Sequence, residues 1–277
     1  ILMSRGSAPG GGTGPAGDRA LTTYEGTMVR FAELVREATP DTAGFADPTR
    51  RPEYGILAYP GIGHVLHYVA RRATPADNFG PYIGLENYES VGRFFGLKAE
   101  GPVLDEAVRL GIRYVVTTDY GGTVPYTLVN RLHRGDGNAA AGAPPFVHFR
   151  LVTEGPAGGK AIGQRFDRPV REGEVPYKLF EIVPGALLEA HAPPGTKMKA
   201  EVTVRTPAGR RFPWRVETAA GADGVVRLRV PYATGTEAPA RPEGPWRVTL
   251  GDAVYEVLVP EDAVLTGATV PVPGTSS

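Results

Sequence analysis

Residues 54–72 read YGILAYPGIGHVLHYVARR and contain the pattern that decides the N-terminal fold. The short apolar run Tyr54–Tyr59 predicts a buried strand, and the Pro-Gly pair at 60–61 predicts a turn over 60–63. Apolar residues at helical spacing then predict a helix from about His64 to Arg72. A strand that leads through a turn into a helix is typical of a layered α/β domain.

The same alternation continues on both sides of this stretch. Upstream, Thr22 or Thr23 can cap a helix, Met28 and Phe31 fall on its apolar face, and Pro40 ends it. Downstream, the pattern predicts two helices, a β-branched strand and a last helix, at Leu85–Phe95, Val103–Leu110, Ile112–Thr118 and Pro125–His133. Residues 21–135 are therefore expected to form an N-terminal α/β layered domain.

The pattern changes after a Gly/Ala/Pro-rich connection at residues 135–145. Residues 146–267 contain short β-rich runs separated by turn signals, with almost no helical periodicity, which predicts a C-terminal β-sandwich-like domain. The predicted fold class is therefore α+β. Residues 1–20 have the composition of a disordered Gly/Ala-rich arm or linker, and residues 268–277 are expected to be a tail.

Composition excludes several classes of partner and chemistry. Thirty basic residues balance thirty acidic ones, so we expect no nucleic-acid partner and no charged attraction to a membrane surface. The chain has no cysteine, which excludes disulfides and thiolate metal sites. No stretch reaches the roughly 20 apolar residues that cross a bilayer. The Ile1-Leu2-Met3 beginning fits either a gene fragment or the remnant of a segment upstream.

The residues do not form a recognisable catalytic or metal site. His64 and His67 could share one helical face, but no third ligand has metal-site spacing, so we expect neither a bound metal nor a cofactor in this chain. Leu66 stands where a dinucleotide-binding loop would need its third glycine. We therefore expect no catalytic residue in this chain.

A possible binding surface is instead concentrated within about twenty residues. A glycine-rich turn allows another chain to approach closely, and arginines can hold carboxylates or phosphates. The alternative is that Arg71 and Arg72 simply end a helix favourably. The candidate acceptor-binding residues are Tyr59, Pro60, Gly61, Ile62, Gly63, His64, Arg71, Arg72, Asp77 and Asn78.

In this region the sequence resembles the soluble C-terminal domain of the catalytic subunit of oligosaccharyltransferases, especially the single-subunit archaeal and bacterial enzymes. The resemblance extends from about residue 22 to residue 270. The segments that carry it, in fixed order, are 39–41, 59–64, 68–72, 76–80, 94–95, 111–116, 177–181, 231–234 and 261–264.

The resemblance implies an acceptor pocket in which this sequence has lost a carboxylate. The family's Trp-Trp-Asp-Tyr-Gly motif aligns with Tyr59–Gly63, where Gly61 replaces the aspartate and only the last glycine is kept. An alternative alignment places the motif at Arg51–Gly55, which keeps an acid at Glu53, but it lies about eight residues too early relative to the Arg-Arg pair. Selection of the usual Asn-x-Ser/Thr sequon is therefore in doubt.

The resemblance also implies what the chain works with. The expected role is the acceptor-binding part of glycan transfer from a lipid-linked donor to protein, on the extracytoplasmic (periplasmic or extracellular) face of a membrane. The family's divalent metal, Mg or Mn, and its catalytic acids belong to a membrane-spanning half that this chain lacks, so we expect covalent attachment to that half upstream of residue 1. The alternatives are a non-catalytic binding module for another acceptor or protein partner, and a carbohydrate-binding β-sandwich.

Overall fold

A computed structural model describes residues 24–118, 127–140, 142–156, 175–235 and 238–273. The predicted arm at 1–20 lies outside the described residues. The helices are α1 Tyr24–Ala38, α2 Pro60–Val65, α3 Leu85–Gly96, α4 Glu100–Leu110, α5 Leu128–Gly135 and α6 Glu261–Thr266. The strands are β1 Gly55–Leu57, β2 Ile112–Thr118, β3 Phe149–Glu154, β4 Tyr177–Ile182, β5 Ala186–His191, β6 Lys197–Arg205, β7 Arg211–Ala219, β8 Val225–Val230, β9 Arg241–Pro242, β10 Trp246–Leu250, β11 Ala253–Val257 and β12 Thr269–Pro271.

The first sheet has the strand order β1-β2-β4-β3. Strands β1 and β2 are parallel, whereas β4 runs antiparallel to both β2 and β3. β3 and β4, which the sequence analysis grouped with the C-terminal strands, therefore complete the N-terminal sheet. The predicted connection at 135–145 lies between β2 and β3, which are two strands of this sheet.

Both faces of this sheet are covered because its strands carry apolar residues on each side. On one face Tyr114 and Leu179 pack with Phe31 of α1, whose ring also stacks on Tyr177 with centroids 5.0 Å apart. On the other face Val115 and neighbouring residues join a core that includes buried residues of α3, α4 and α5. The layered arrangement follows from the helical spacing that predicted these helices.

The C-terminal part contains two further sheets. One has the order β11-β10-β6-β7, with β9 also paired to β6, and the other has the order β12-β5-β8. Their inward residues share one core, in which the rings of Trp214 and Trp246 meet edge to face with centroids 5.6 Å apart. The α+β fold class is confirmed. β12 pairs in parallel with β5, so the predicted tail contributes a strand.

A buried ionic cluster links the first sheet to the C-terminal strands. Arg210, in the turn between β6 and β7, contacts Asp136 at 2.7 Å and Glu154 at 2.6 Å, and Lys178 of β4 contacts Asp136 at 2.7 Å. The hydrogen bonds from Arg210 and Lys178 keep the pKa of the Asp136 carboxyl below its usual value, although burial acts in the opposite direction. The cluster therefore joins parts of the chain that are more than fifty residues apart in sequence.

None of the helices in the described ranges is long and apolar enough to cross a membrane.

Candidate functional site

The segment predicted to be a turn, Pro60–Gly63, is helical. Pro60 occupies the first turn of α2, where its missing N–H costs nothing because the first helical N–H groups have no partner within the helix. A short π-helix at Leu66–Ala70 continues the chain directly. It ends at Arg71, whose φ of 57° is left-handed, and this reverses the chain before residue 72. The prediction of a turn is wrong because proline favours a helix start as readily as a turn.

Close packing brings α2 against the loop at residues 74–79. A Cβ atom at Gly63 would lie 2.4 Å from the carbonyl oxygen of Ala76 and 2.8 Å from Cα of Asp77. These separations are far below van der Waals contact, so only glycine fits here. Gly63 therefore allows the two segments that the sequence analysis singled out to lie side by side.

The exposed residues of these two segments define the candidate surface. Tyr59 is 44% exposed at the beginning of α2, Pro60 and Gly61 are half-buried, and His64 and Asn78 are exposed. We call these five residues the α2 surface. Arg71 is also exposed, at the end of the π-helix.

Exposed aromatic residues in the same stretch were missed by the sequence analysis. Phe79, next to Asn78, is 67% exposed, and Tyr68 and Tyr82 are more exposed still. Large apolar side chains in open positions mark an interaction surface more often than isolated exposed aliphatic residues do. The sequence offered a signal for Phe79 and Tyr82, which lie in turn-rich sequence, whereas Tyr68 falls within the helix predicted from about His64 to Arg72.

Arg72 has a structural role that differs from the predicted contact with an acceptor. Its side chain is 1% exposed, and its guanidinium donates to the Thr39 hydroxyl at 2.9 Å and to the Thr39 carbonyl at 2.8 Å. It also donates to carbonyls at the end of the π-helix, those of Ala70 and Arg71. Arg72 therefore ties the end of α1 to the end of the π-helix, and its donors are used inside the protein.

Ile62, Gly63 and Asp77 are also buried. Ile62 belongs to the core shared with α1. The Asp77 carboxylate accepts the backbone N–H of Phe79 at 2.9 Å, which shapes the loop beside α2. These three residues support the α2 surface from beneath.

His67 is held inside the same segment. Its Nε2 atom accepts the backbone N–H of Thr74 at 3.0 Å. Burial lowers the pKa of His67, while the carboxylate of Asp77 acts in the opposite direction. A neutral ring is therefore favoured, with Nε2 occupied by the loop.

The alternative motif alignment at Arg51–Gly55 places its tyrosine in the core. Tyr54 is buried, its hydroxyl donates to the Pro40 carbonyl, and its ring meets Tyr114 edge to face. Gly55 begins β1. Both alignments therefore place the fourth position of the motif, Tyr54 or Ile62, in the core.

The residues of the described ranges do not fit a resident metal ion, because they bring together no group of three or more His, Asp or Glu side chains.

Comparisons with known proteins agree with the family that the sequence motifs resemble. Residues 185–270 match the family described as archaeal glycosylation protein B long peripheral domain. Dolichyl-phosphooligosaccharide-protein glycotransferase 1 of Archaeoglobus fulgidus is 29% identical over 75 residues, which are 27% of this chain and 12% of that protein.

Solved structures share the fold over most of the chain. The Archaeoglobus fulgidus oligosaccharyltransferase AglB in complex with an inhibitory peptide and a dolichol-phosphate has a TM-score of 0.68 and 17% identity, over 88% of this chain and 42% of that one. A crystal structure of the enzyme tethered to an acceptor peptide containing the NVT sequon has a TM-score of 0.69 at 17% identity, over 88% and 43%. A complex with Zn and sulfate has a TM-score of 0.68, also at 17% identity, over 88% and 46%.

The chain spans less than half the length of these structures and about an eighth of the curated relative. The resemblance recognised in the sequence is confirmed: residues 185–270 match the archaeal glycosylation protein B long peripheral domain, 75 residues resemble an archaeal glycotransferase, and most of the chain shares the fold of archaeal oligosaccharyltransferase structures.

Proposed function

We propose that this chain is the acceptor-binding domain of an oligosaccharyltransferase-like membrane glycosyltransferase. It binds an acceptor polypeptide on the extracytoplasmic face of a membrane, while a membrane-spanning part joined upstream of residue 1 holds the lipid-linked glycan and a divalent metal. The chain on its own carries out no transfer.

The observation that carries this proposal is the α2 surface itself. It lies at the segment that resembles the family's acceptor motif, and Gly63 brings Asn78 and its neighbour Phe79 to the same region of the molecule. The buried Arg72 and Asp77 hold this region together from the inside. The exposed Tyr59 supplies contact area without a large loss of side-chain entropy on binding.

The chemistry of the surface predicts weak sequon selection. A site discriminates strongly for a hydroxyl when a buried polar group would otherwise be left unpaired. Gly61 has no carboxylate that could accept a hydrogen bond from a Ser or Thr hydroxyl. A peptide without that hydroxyl therefore loses no hydrogen bond at residue 61.

The donor and the metal are assigned to the membrane-spanning part on the resemblance to oligosaccharyltransferases. The Archaeoglobus fulgidus enzyme that shares this fold is described in one complex with dolichol-phosphate and in another with Zn. The divalent metal would supply Lewis-acid assistance to transfer when bound. This chain's residues would hold and orient the acceptor.

A peptide-binding titration tests the proposal. We expect an Asn-x-Thr peptide to bind the chain measurably, and Tyr59→Ala to weaken binding about tenfold, or about 1.4 kcal/mol. Leu258→Ala is the matched control, because Leu258 is 71% exposed but lies beyond β11. Equal weakening by both substitutions, or no binding by the unsubstituted chain, would overturn the proposal.

Gly61 stands where the family motif has an aspartate, and this difference favours a second candidate function. The second candidate is a non-catalytic module of the same fold that recognises another acceptor. Assaying the protein together with its natural upstream sequence and a lipid-linked donor separates the two. Glycosylated peptide supports the transferase, whereas peptide binding without product supports the binding module.

A further inference from the structure

The outward face of the five-stranded sheet carries a concentration of basic residues. Strands β6, β7, β9 and β10 alternate strictly, so that Met198, Trp214 and Val248 point into the core and charged residues point outward. The basic residues on this outward side are Lys197, Lys199, Arg205, Arg211, Arg215, Arg241 and Arg247. They share this side with the acids Glu201, Glu217 and Glu256, so basic residues outnumber acidic ones on the strands of this face by seven to three.

A cavity of about 340 Å³ opens in this face. Its walls come from β6, β7, the start of β10 and the Glu243–Pro245 turn. The rim on β7 is fixed by Asn138, whose side chain donates to the Pro213 carbonyl at 3.0 Å and accepts the Arg215 N–H at 3.2 Å. This volume lies at the lower end of the range of small-molecule sites and suits a mono- or disaccharide-sized group.

Charge is unevenly paired inside the cavity. The Glu201 carboxylate contacts Lys199 at 2.8 Å, Arg215 at 3.4 Å and Arg247 at 3.7 Å. Three cations therefore share one carboxylate, and the long contacts from the two arginines leave their guanidiniums able to bind a further anion. The second acid of the lining, Glu243, is paired with Arg211 at 2.7 Å.

The lining combines groups for an anion with groups for hydroxyls. Arg215 and Arg247 are suited to a carboxylate, because a guanidinium can bind one with two parallel hydrogen bonds. Glu201, Glu243 and Thr203 can accept hydrogen bonds from hydroxyl groups. Pro213 and Pro245 supply apolar walls against which the C–H face of a sugar ring can pack.

We propose that this cavity is a binding site for an acidic saccharide, a sugar unit that carries both hydroxyl groups and a carboxylate. The site is separate from the α2 surface and does not depend on the function proposed for it. A purely phosphate ligand fits less well, since it has no hydroxyl groups to donate to Glu201, Glu243 and Thr203, and a lipid surface would favour a uniformly basic face.

Titration of the whole chain with two oligosaccharides of equal length tests this site. The acidic probe is a hyaluronan tetrasaccharide, which alternates glucuronate with N-acetylglucosamine, and the neutral probe is chitotetraose. We expect saturable binding of the acidic probe only. The double substitution Arg215→Gln with Arg247→Gln should weaken it about tenfold or more, whereas Arg205→Gln, an exposed basic residue outside the lining, should change it less than about twofold.

Several results would overturn the assignment. Equal affinity for chitotetraose would remove the role of the carboxylate, and inorganic phosphate binding as tightly as the acidic tetrasaccharide would reduce the cavity to a simple anion site. Loss of binding in Arg205→Gln as large as in the double variant would indicate general attraction to the basic face. Absence of saturable binding in an unsubstituted chain shown to be folded by circular dichroism would also refute the proposal.

Discussion

Gly63 and Ala76 lie in direct backbone contact, so that a Cβ atom at residue 63 would stand 2.4 Å from the Ala76 carbonyl oxygen. The contact joins α2 to the loop that carries Asn78 and Phe79. Neither partner can give way by a side-chain rotation, because the opposing atoms are backbone. The shape of the α2 surface therefore depends on one missing methyl group.

Gly63→Ala should destabilise the protein and displace the 74–79 loop. Overpacking of this kind costs about 1–3 kcal/mol in the free energy of unfolding, which urea denaturation measures. Gly92→Ala in α3 is the matched control, because nothing lies within 4 Å of its added Cβ. Gly92→Ala should stabilise the chain by about 0.5–1 kcal/mol, and a loss of stability in both variants would contradict the packing argument.

Arg72→Lys should lower the free energy of unfolding by about 2–4 kcal/mol, since lysine cannot reproduce the fork of bonds to Thr39, Ala70 and Arg71. Arg71→Lys keeps the same charge one residue earlier on an exposed side chain, so it should change stability by less than about 0.5 kcal/mol. Thermal or urea unfolding of the two variants side by side would show whether Arg72 is structural. Similar small effects in both would argue against it.

Arg210→Gln should cost about 3–5 kcal/mol, because it leaves the buried carboxylates of Asp136 and Glu154 with a single remaining cation, Lys178. The neighbouring Arg211 pairs with Glu243 at the surface, so Arg211→Gln should cost less than about 1 kcal/mol. A comparison of their denaturation midpoints checks this difference. The ionic cluster is not a structural link if Arg210→Gln unfolds at the same denaturant concentration as Arg211→Gln.

Glu100→Gln should stabilise the protein above neutral pH. Burial raises the pKa of the Glu100 carboxyl from 4.5 to about 7, although the N–H groups of His148 and Val147 act in the opposite direction. Because the folded state holds this proton more tightly than the unfolded state, stability is lost as pH rises from 4.5 to 7 and stays lower above that range. Glutamine stays neutral and still accepts the His148 N–H, so it avoids this loss.

The expected gain of the Glu100→Gln variant is near zero at pH 4 and about 2–3 kcal/mol at pH 8. Urea unfolding at a series of pH values measures it. A gain that is constant across the series would show that the effect comes from packing rather than from the proton.

Periodicity predicted much of the fold because the elements bury residues with a regular spacing. The bounds of Ile112–Thr118 were predicted as the structure has them. This strand is a β-branched run that follows Gly111. The grouping of β3 and β4 was not predictable in this way, because strand pairing depends on which edge of a sheet remains unpaired.

The sequence singled out the candidate residues but did not show which of them are exposed. Arg71 faces solvent and its neighbour Arg72 is buried because the backbone at Arg71 is left-handed. A left-handed conformation at a non-glycine residue has no sequence signature, so this difference was not predictable. The strand at Thr269–Pro271 was missed because a three-residue parallel strand needs only a neighbouring edge, and its proline and small residues read as a tail.

The central claim is tested most directly by dividing the dissociation constant of an Asn-x-Ala peptide by that of an Asn-x-Thr peptide, for the unsubstituted chain and for Gly61→Asp. A Cβ at Gly61 would meet the Tyr59 ring at 3.1 Å, and that residue is 44% exposed. We predict a ratio below about ten for the unsubstituted chain and at least about tenfold higher for Gly61→Asp, because the carboxylate would accept the hydroxyl. A high ratio in the unsubstituted chain, or no change on substitution, would contradict the account.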